Sequence, residues 1–423
     1  MRKRVEAKLI VQKYGGSSLG DISRIENVAR RIVSYSRKGM RILAVVSAMG
    51  DTTDKLIELA KKINPNYSGR EMDMLMSTGE QISSALLAMA IHKLNVGAIS
   101  YTGSQAGIIT DTLHTQAKIR TIKTVGRIKN ELAKGNVVIV TGFQGITPAL
   151  EITTLGRGGS DLSAVALAFA LDADSCEIYT DVDGIYTADP RIVADAKKLK
   201  YITFDEMLEL ASRGAQVMHT RAIEVAKKFN IPLHVRSSFF KKEGTIIMEK
   251  TPIIEEPVVR GVTLTDNEAK ITLCNVPDKP GIAATVFTKL AKENVNVDMI
   301  VQNVSHKKIT DISFTVPKAG LLKTCKVAKK IADDIGAAGI VSDETIAKVS
   351  IVGVGMKSHS GVAAKCFSTL AKNKINIDMI STSEISISCV VKEYSGKKAL
   401  KALHKAFGLS RGSPPPVINM KNK

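Results

Sequence analysis

The chain has no tryptophan, and aromatic residues of all kinds make up 4% of its 423 residues. Proteins that hold single-stranded nucleic acid stack its bases on aromatic side chains, so that class has little to build on here. Five cysteines, Cys176, Cys274, Cys325, Cys366 and Cys389, lie far apart without any C-x-x-C. An odd, dispersed set excludes a disulfide framework and a zinc ribbon and reads as reduced, mostly buried thiols. No apolar run exceeds Ala164 to Leu171, far below the ~20 residues that cross a bilayer. Met1-Arg-Lys-Arg4 leads into Val5-Glu6 rather than an apolar signal core. The expectation is a cytoplasmic protein with no membrane partner.

Charge is one-sided, with 60 Lys and Arg against 41 Asp and Glu, a net +19. The lysines fall as scattered pairs such as Lys61-Lys62, Lys197-Lys198 and Lys227-Lys228 beside helix-like apolar residues. That pattern reads as a solvated basic surface suited to anionic metabolites, not as a nucleic-acid footprint, and no nucleic-acid partner is expected. A hydrophobic share of 44% with 24% charged residues marks a globular chain, and its length allows two to four domains.

From Lys8 to Ser237 short apolar runs alternate with longer amphipathic segments, the pattern of an α/β fold with a mainly parallel sheet covered by helices. Strands are expected at 8–12, 41–47, 98–101, 137–141, 177–180 and 233–235. Helices are expected at 22–37, 53–63, 72–94, 162–171, 204–213 and 220–229. A break at Lys250-Thr-Pro-Ile-Ile-Glu-Glu-Pro257 marks a domain boundary. Beyond it Gly281-Ile-Ala-Ala-Thr-Val-Phe-Thr-Lys-Leu-Ala-Lys292 returns without a gap as Gly361-Val-Ala-Ala-Lys-Cys-Phe-Ser-Thr-Leu-Ala-Lys372, an offset of 361 − 281 = 80 residues. Two copies imply a pair of small α+β modules rather than a solenoid.

Several turns carry residue types that suit chemistry. Lys13-Tyr-Gly-Gly-Ser-Ser18 follows a strand and precedes a helix, where backbone N–H groups cradle phosphate and Lys13 adds charge. Thr153-Thr-Leu-Gly-Arg-Gly-Gly-Ser-Asp161 combines N–H donors with Arg157, whose fork fits carboxylate or phosphate. It is either such a grip or a plain turn with Asp161 as N-cap. Thr180-Asp-Val-Asp-Gly-Ile-Tyr-Thr-Ala-Asp-Pro-Arg191 gathers acids, Tyr186 and Arg191 in one loop. Glu80, within Ser77-Thr-Gly-Glu80, reads by itself as a structural acid. The histidines, His219, His234 and His306 among them, lack metal-ligand spacing, and no metal ligand is named. The chain has no G-x-x-x-x-G-K-[ST], no H-R-D with D-F-G, no G-x-S-x-G and no H-E-x-x-H, which withdraws support from P-loop NTPases, protein kinases, α/β-hydrolases and zincins.

Taken together, Lys13 to Ser18, Val45-Val-Ser-Ala48, Arg70-Glu-Met-Asp-Met-Leu-Met-Ser-Thr-Gly-Glu80, Thr153 to Asp161, Thr180 to Arg191 and the C-terminal repeat resemble the aspartate kinases, in order and up to about Leu409. The resemblance implies an amino acid kinase-like three-layer sandwich over 1–250, a linker and entry strand at 251–262, and two ferredoxin-like ACT modules at 263–342 and 343–409. A disordered tail would follow at 410–423. It implies transfer of the ATP γ-phosphoryl group to the side-chain carboxylate of L-aspartate, the first step towards lysine, threonine and methionine, with Mg²⁺ carried on the nucleotide. Other amino acid kinases, of the glutamate or N-acetylglutamate type, or an idle amino-acid sensor, are the alternatives.

By the same resemblance Lys13, Gly15, Gly16 and Asp161 are catalytic, and Ser47, Thr53, Glu80, Arg157 and Ser160 bind substrate. Lys13, Gly16, Ser17, Thr180, Asp181, Tyr186, Arg191 and Gln216 hold the nucleotide. An effector amino acid, lysine or threonine, meets Asp278, Gly281, Ile282, Ala283, Asn296, Asp298 and Gln302 in the first module and Asn376, Asp378 and Thr382 in the second. ACT pairing implies a homodimer or higher oligomer. Four departures stand out: Tyr14 where Phe is usual, Ser17 where Thr is common, Gln216 where Lys is common, and Thr147-Pro-Ala-Leu-Glu151 without an Asp-Gly turn.

Overall fold

The computed structural model describes residues 7–215, 217–253, 257–303, 308–359 and 361–412. The chain forms two compact units, Met1–Ile185 with Lys198–Ala211 and Gln216–Ile254, and Tyr186–Lys197 with Ser212–Ala215 and Glu255–Lys423. Gln216, His306 and residues 254–256 of the expected linker lie outside the described residues, as do 413–423 of the expected tail.

The first unit runs β1 (Leu9–Tyr14), α1 (Ile22–Ser36), β2 (Arg41–Val46), α2 (Thr52–Ile63), α3 (Gly69–His92), β3 (Ala98–Tyr101), β4 (Ile108–Thr110), β5 (Ile119–Ile122), α4 (Val125–Ala133), β6 (Val137–Thr141), β7 (Gln144–Ile146), β8 (Ile152–Thr154), α5 (Gly159–Leu171), β9 (Ser175–Thr180), β10 (Tyr201–Thr203), α6 (Phe204–Ser212), α7 (Thr220–Lys228), β11 (Leu233–Ser237) and β12 (Thr245–Met248). Eight strands form one sheet in the order β10-β12-β11-β9-β1-β2-β6-β3. Every neighbouring pair is parallel except β11 with β12. β2 and β6 are almost wholly buried, which is why they read as unbroken apolar runs.

On one face Tyr14, Val46, Val137 and Ile139 pack against Ile25, Val28 and Ile32 of α1 and Leu87 and Ile91 of α3. α5, apolar on nearly every side and therefore buried, covers β1, β2 and β9 on the other. That is the three-layer arrangement expected. From β1 the chain passes to β2 on one side and later to β9 on the other, so the loops at their carboxyl ends open into a crevice. A second sheet, β5-β4-β7-β8, and α4 were not anticipated, since strands of three or four residues are too short to show alternation.

The second unit runs β13 (Gly261–Thr265), β14 (Glu268–Pro277), α8 (Ile282–Lys292), β15 (Ile300–Gln302), β16 (Ile309–Pro317), α9 (Leu321–Ile335), β17 (Gly339–Asp343), β18 (Ile346–Val352), α10 (Val362–Lys372), β19 (Met379–Thr382), β20 (Ser386–Lys392) and α11 (Glu393–Ala406). Two antiparallel sheets result, β15-β16-β14-β17 and β13-β18-β20-β19. β13 therefore belongs to the second module, and the first is inserted between β13 and β18. This moves the start of the first module from 263 to β14, because Thr263 and Thr265 pair with Ser350 and Lys348. Gly281 and Gly361 open the repeated helices at φ of 94° and 92°, a backbone that only glycine adopts without strain.

The second module also takes in a segment from the middle of the chain. Ala188, Val193 and Ala196 join Val259, Ile351, Leu400 and Phe407 in its core. Thr187 donates its N–H to Lys197 O and accepts at its own carbonyl from Val262 N. The expected tail starts later than 410: Ser410 bridges Ala196, and Arg411 donates to Asp195 O at 2.9 Å and, through Nε, to Ala196 O at 3.2 Å. Four backbone and side-chain groups satisfied at that point outweigh the local Ser-Arg-Gly composition.

Candidate active site

Lys13, next to last in β1, is half-buried, with Nζ 2.7 Å from Asp161 Oδ1. The chain then turns sharply. Gly15 N–H donates to Tyr179 O at 3.4 Å and Gly50 N–H to Gly16 O at 3.1 Å. A Cβ on Gly16 would lie 2.9 Å from Ala48 O, so the glycine is required for the two loops to close on each other. Ser17 is exposed, and its carbonyl accepts from Arg24 Nη1. Tyr14 is explained by its surroundings. Its ring stacks on Tyr179 at 4.8 Å, and its hydroxyl donates to Gln12 Oε1.

Asp161 lies in the first turn of α5, whose N-cap is Gly158 at φ 71°. The reading of Asp161 as N-cap is thus corrected: Gly158 takes that place because a Cβ there would lie 2.1 Å from His219 Cβ. Ser160 is buried, and a Cβ on Gly142 would press against it at 2.8 Å. Arg157 is exposed on the same loop and has no side-chain partner among the described residues. The loop is held by Arg221, an anchor with no visible sequence signal, which donates to Leu155 O at 2.6 Å and Ala117 O at 3.0 Å. The 147–151 hairpin closes without Asp-Gly. Thr147 N–H donates to Glu151 O, and Leu150 adopts the left-handed φ of 65°.

Glu80 projects from α3 and is 3% exposed. One oxygen accepts from Ala48 N–H at 3.1 Å, while the other is buried without a partner. Burial pushes its carboxyl up to about 7, against the two backbone hydrogen bonds that lower it. Ser47 donates its N–H to Tyr14 O, and its own carbonyl accepts from Ser83 Oγ at 2.7 Å. Thr53 is half-buried in the first turn of α2. Lys13, Gly15, Gly16, Ser47, Thr53, Glu80, Ser160 and Asp161 are therefore carried at the carboxyl end of one sheet.

Thr180 and Asp181 leave the end of β9 joined by a 2.9 Å hydrogen bond. The structure does not gather Tyr186 and Arg191 with them in one unit. Tyr186 packs on the core of the second module, and Arg191 forks onto Asp189. The reason is the core role of the 186–197 segment, invisible in the local sequence.

Buried acids that the sequence does not single out include Asp73 and Glu177. Asp73 on α3 accepts from Thr154 Oγ1 at 2.6 Å and from Thr115 N–H, and pairs with His114 at 2.8 Å. Glu177 accepts from Gln12 Nε2 at 2.8 Å, Tyr179 hydroxyl at 2.9 Å and Arg236 at 3.0 Å. Asp73 sits inside the quoted Arg70 to Glu80 stretch as an acid on an apolar face. That was its only signal.

Residues 8–237 match the model of the amino acid kinase family, and 270–333 and 349–407 each match an ACT domain model. An aspartate kinase of Stutzerimonas stutzeri is 50% identical over 402 residues, 95% of this chain and 97% of that protein. The chain belongs to the aspartate kinases of the amino acid kinase family. An aspartokinase of Corynebacterium glutamicum is likewise 50% identical over 95% of this chain and 96% of its own length. Among solved structures, Escherichia coli aspartokinase III in complex with aspartate and ADP aligns with TM-score 0.77 at 26% identity, over 94% of this chain and 99% of that one. The kinase is an ATP-dependent phosphotransferase with a carboxyl acceptor. No described helix is long and apolar enough to cross a membrane.

In the first ACT module Asp278, Gly281 and Ala283 are exposed at the turn before α8, and Ile282 is half-buried. Asn296 and Gln302 are exposed beyond the helix. Asp298 is already engaged, by Lys348 and, at 3.4 Å, by Arg213. In the second module Asn376 and Thr382 are exposed, and Asp378 lies 3.3 Å from Lys392 and 3.8 Å from Lys270.

Proposed function

We propose that this kinase transfers the γ-phosphoryl group of ATP to the side-chain carboxylate of L-aspartate, giving 4-phospho-L-aspartate for lysine, threonine and methionine synthesis in the cytoplasm. The observation that carries this reading is the set of charges left open, among the described residues, at the same end of the sheet as the Lys13–Asp161 pair: Arg157 without a side-chain partner and Glu80 with one unpaired buried oxygen. A cation for a carboxylate and an acid for an ammonium group are what an amino-acid substrate requires.

A carboxylate acceptor is ionised at neutral pH, so no general base is needed and catalysis is positioning plus charge neutralisation. Lys13, held by Asp161, and the N–H group of Gly16, in the turn that Gly15 anchors to Tyr179 O, meet the charge that spreads over the transferring phosphoryl oxygens. Arg157 grips a carboxylate of the substrate and Glu80 its ammonium, with Ser47, Thr53 and Ser160 lining the pocket. Thr180 and Asp181 take the nucleotide. Among the described residues no group of three His, Cys, Asp or Glu gathers to hold a metal by itself. A Mg²⁺ riding on the ATP phosphates fits this donor set, with Asp161 the carboxylate beside the phosphate turn, and would supply further charge neutralisation there.

Regulation is proposed through the ACT modules, by lysine, threonine or both, in a homodimer or larger assembly. The E. coli enzyme described in complex with lysine and aspartate, TM-score 0.74 at 26% identity, supports an amino-acid effector. A hydroxamate assay tests the whole reading, because hydroxylamine traps an acyl phosphate. Mg-ATP with aspartate should give signal, suppressed by one effector. Signal with glutamate or N-acetylglutamate alone would replace the substrate, and no signal with any acceptor would leave an idle sensor.

A further inference from the structure

Thr141, the last residue of β6, is fully buried, yet its hydroxyl has no hydrogen-bond partner among the described residues. A buried hydroxyl left unpaired is costly and asks for a ligand. Its direction follows from the sheet. Val137 and Ile139 belong to the core formed with Leu87 and Ile91 of α3, and side chains alternate along a strand, so Thr141 faces α3 as well.

α3 precedes β3, which runs parallel to β6, so the helix descends as the strand climbs. One helical turn from Leu87 to Ser83 rises about 6 Å, and two strand residues from Ile139 to Thr141 rise about 6.6 Å. Thr141 lies opposite Val46 in the sheet, and the next residues of that strand end are held by this helix, Ser47 O by Ser83 Oγ and Ala48 N–H by Glu80, so Thr141 stands near Ser83 with Glu80 at the next step. Ser83 Oγ is already spent on Ser47 O and on its own helix. What remains on this wall is Thr141 Oγ1 and the unpaired oxygen of Glu80. The following turn is fixed on the α5 side too, with Gly142 N–H donating to Val46 O and Phe143 N–H to Ser163 Oγ at 3.1 Å.

We propose that Thr141 determines specificity for the amino group of the substrate: its hydroxyl and the free oxygen of Glu80 together accept the ammonium N–H groups. This rests on the aspartate reading above. An ammonium carries three donors, and one carboxylate oxygen leaves two of them unmet. Thr141 supplies the second acceptor from a rigid strand end, whereas a hydroxyl on the neighbouring loops would have to be ordered first.

The test compares L-aspartate with succinate, the same dicarboxylate lacking the amino group, as substrate and competitive inhibitor. Thr141→Val keeps the β-branched shape and removes only the hydroxyl. It should raise the aspartate KM about tenfold, the equivalent of one lost hydrogen bond to a charged group, and leave kcat, the ATP KM and the succinate Ki unchanged. Thr141→Ser should restore the aspartate KM. An unchanged KM in Thr141→Val, or a Ser variant as impaired as the Val variant, overturns the role of Thr141 alone. A wild-type enzyme that ignores aspartate overturns the reading beneath it.

Discussion

The two units treat charge in opposite ways. At the carboxyl end of the catalytic sheet, Arg157 has no side-chain partner and one oxygen of Glu80 no hydrogen-bond partner among the described residues. In the regulatory unit the repeated acids are closed by lysines, and the pairs are exchanged between modules. Lys348 of β18 reaches Glu268 and Asp298 of the first module, while Lys270 of β14 lies 3.8 Å from Asp378 of the second. Asp343 is held at about 2, first by the Lys392 hydrogen bond and then by Thr345. The buried oxygen of Glu80 costs stability until a ligand arrives, while exposed Arg157 stays solvated. Closed charge holds two modules in register, and a ligand that wants one of those acids must displace a cation.

The largest effect should come from the Lys13–Asp161 pair of the catalytic unit. Lys13→Ala removes charge needed mostly in the transition state, so kcat should fall about 10³-fold with a small change in thermal unfolding. An unchanged kcat would place Lys13 among the structural pairs and erase the contrast. Next, Lys348→Met should destabilise the regulatory unit by about 3 kcal/mol, because it strands two acids that share one buried cation. Thermal unfolding of the single variant and of Lys348→Met with Glu268→Gln decides it. If the second change recovers nothing, the pairs are surface ornament and the modules are held by packing alone.

Glu80 sharpens the contrast through pH. Its folded pKa, about 7, stands above the ordinary 4.5, so the fold favours the neutral form. That contribution is fully present below about 4.5 and is lost as pH rises through 7. Unliganded wild-type enzyme should lose on the order of 3 kcal/mol relative to Glu80→Gln across that window, and aspartate at pH 8 should narrow the gap. Denaturant titrations of both proteins at several pH values measure it; a gap that ignores pH would mean that Glu80 has a partner in solution.

How much of this was legible beforehand follows from where each signal resides. The six main strands and the helices between them carried long apolar periodicity, and the turns bearing Lys13 and Arg157 carried glycines whose neighbours leave no room for a Cβ. The insertion of one ACT module into the other was not legible, since β13 differs from a linker only in pairing with β18. Nor was the core role of Ala188, Val193 and Ala196, three small or β-branched residues inside a loop rich in acids. Glu80 read as a structural acid when taken alone, because nothing in its spacing says that one oxygen lacks a partner. Such vacancies exist only in three dimensions.

The smallest predicted effect concerns the acid that both descriptions claim. Asp298 was expected to meet an effector, yet Arg213 Nη1 stands 3.4 Å from it and Lys348 is paired with it too. Arg213 is fixed by its carbonyl, which accepts from Thr265 Oγ1 at 2.7 Å, so its side chain competes from a set place for the site an effector ammonium would use. A partly exposed pair of this kind is worth about 0.2–1 kcal/mol. Arg213→Ala should then lower the effector concentration for half-inhibition by roughly two- to fivefold and leave uninhibited activity alone. Inhibition curves with lysine and with threonine read the shift directly. A curve that does not move would show that Asp298 keeps its cations when the effector binds, which would make it wholly a structural residue and return sensing to the exposed turn at Asp278 to Ala283.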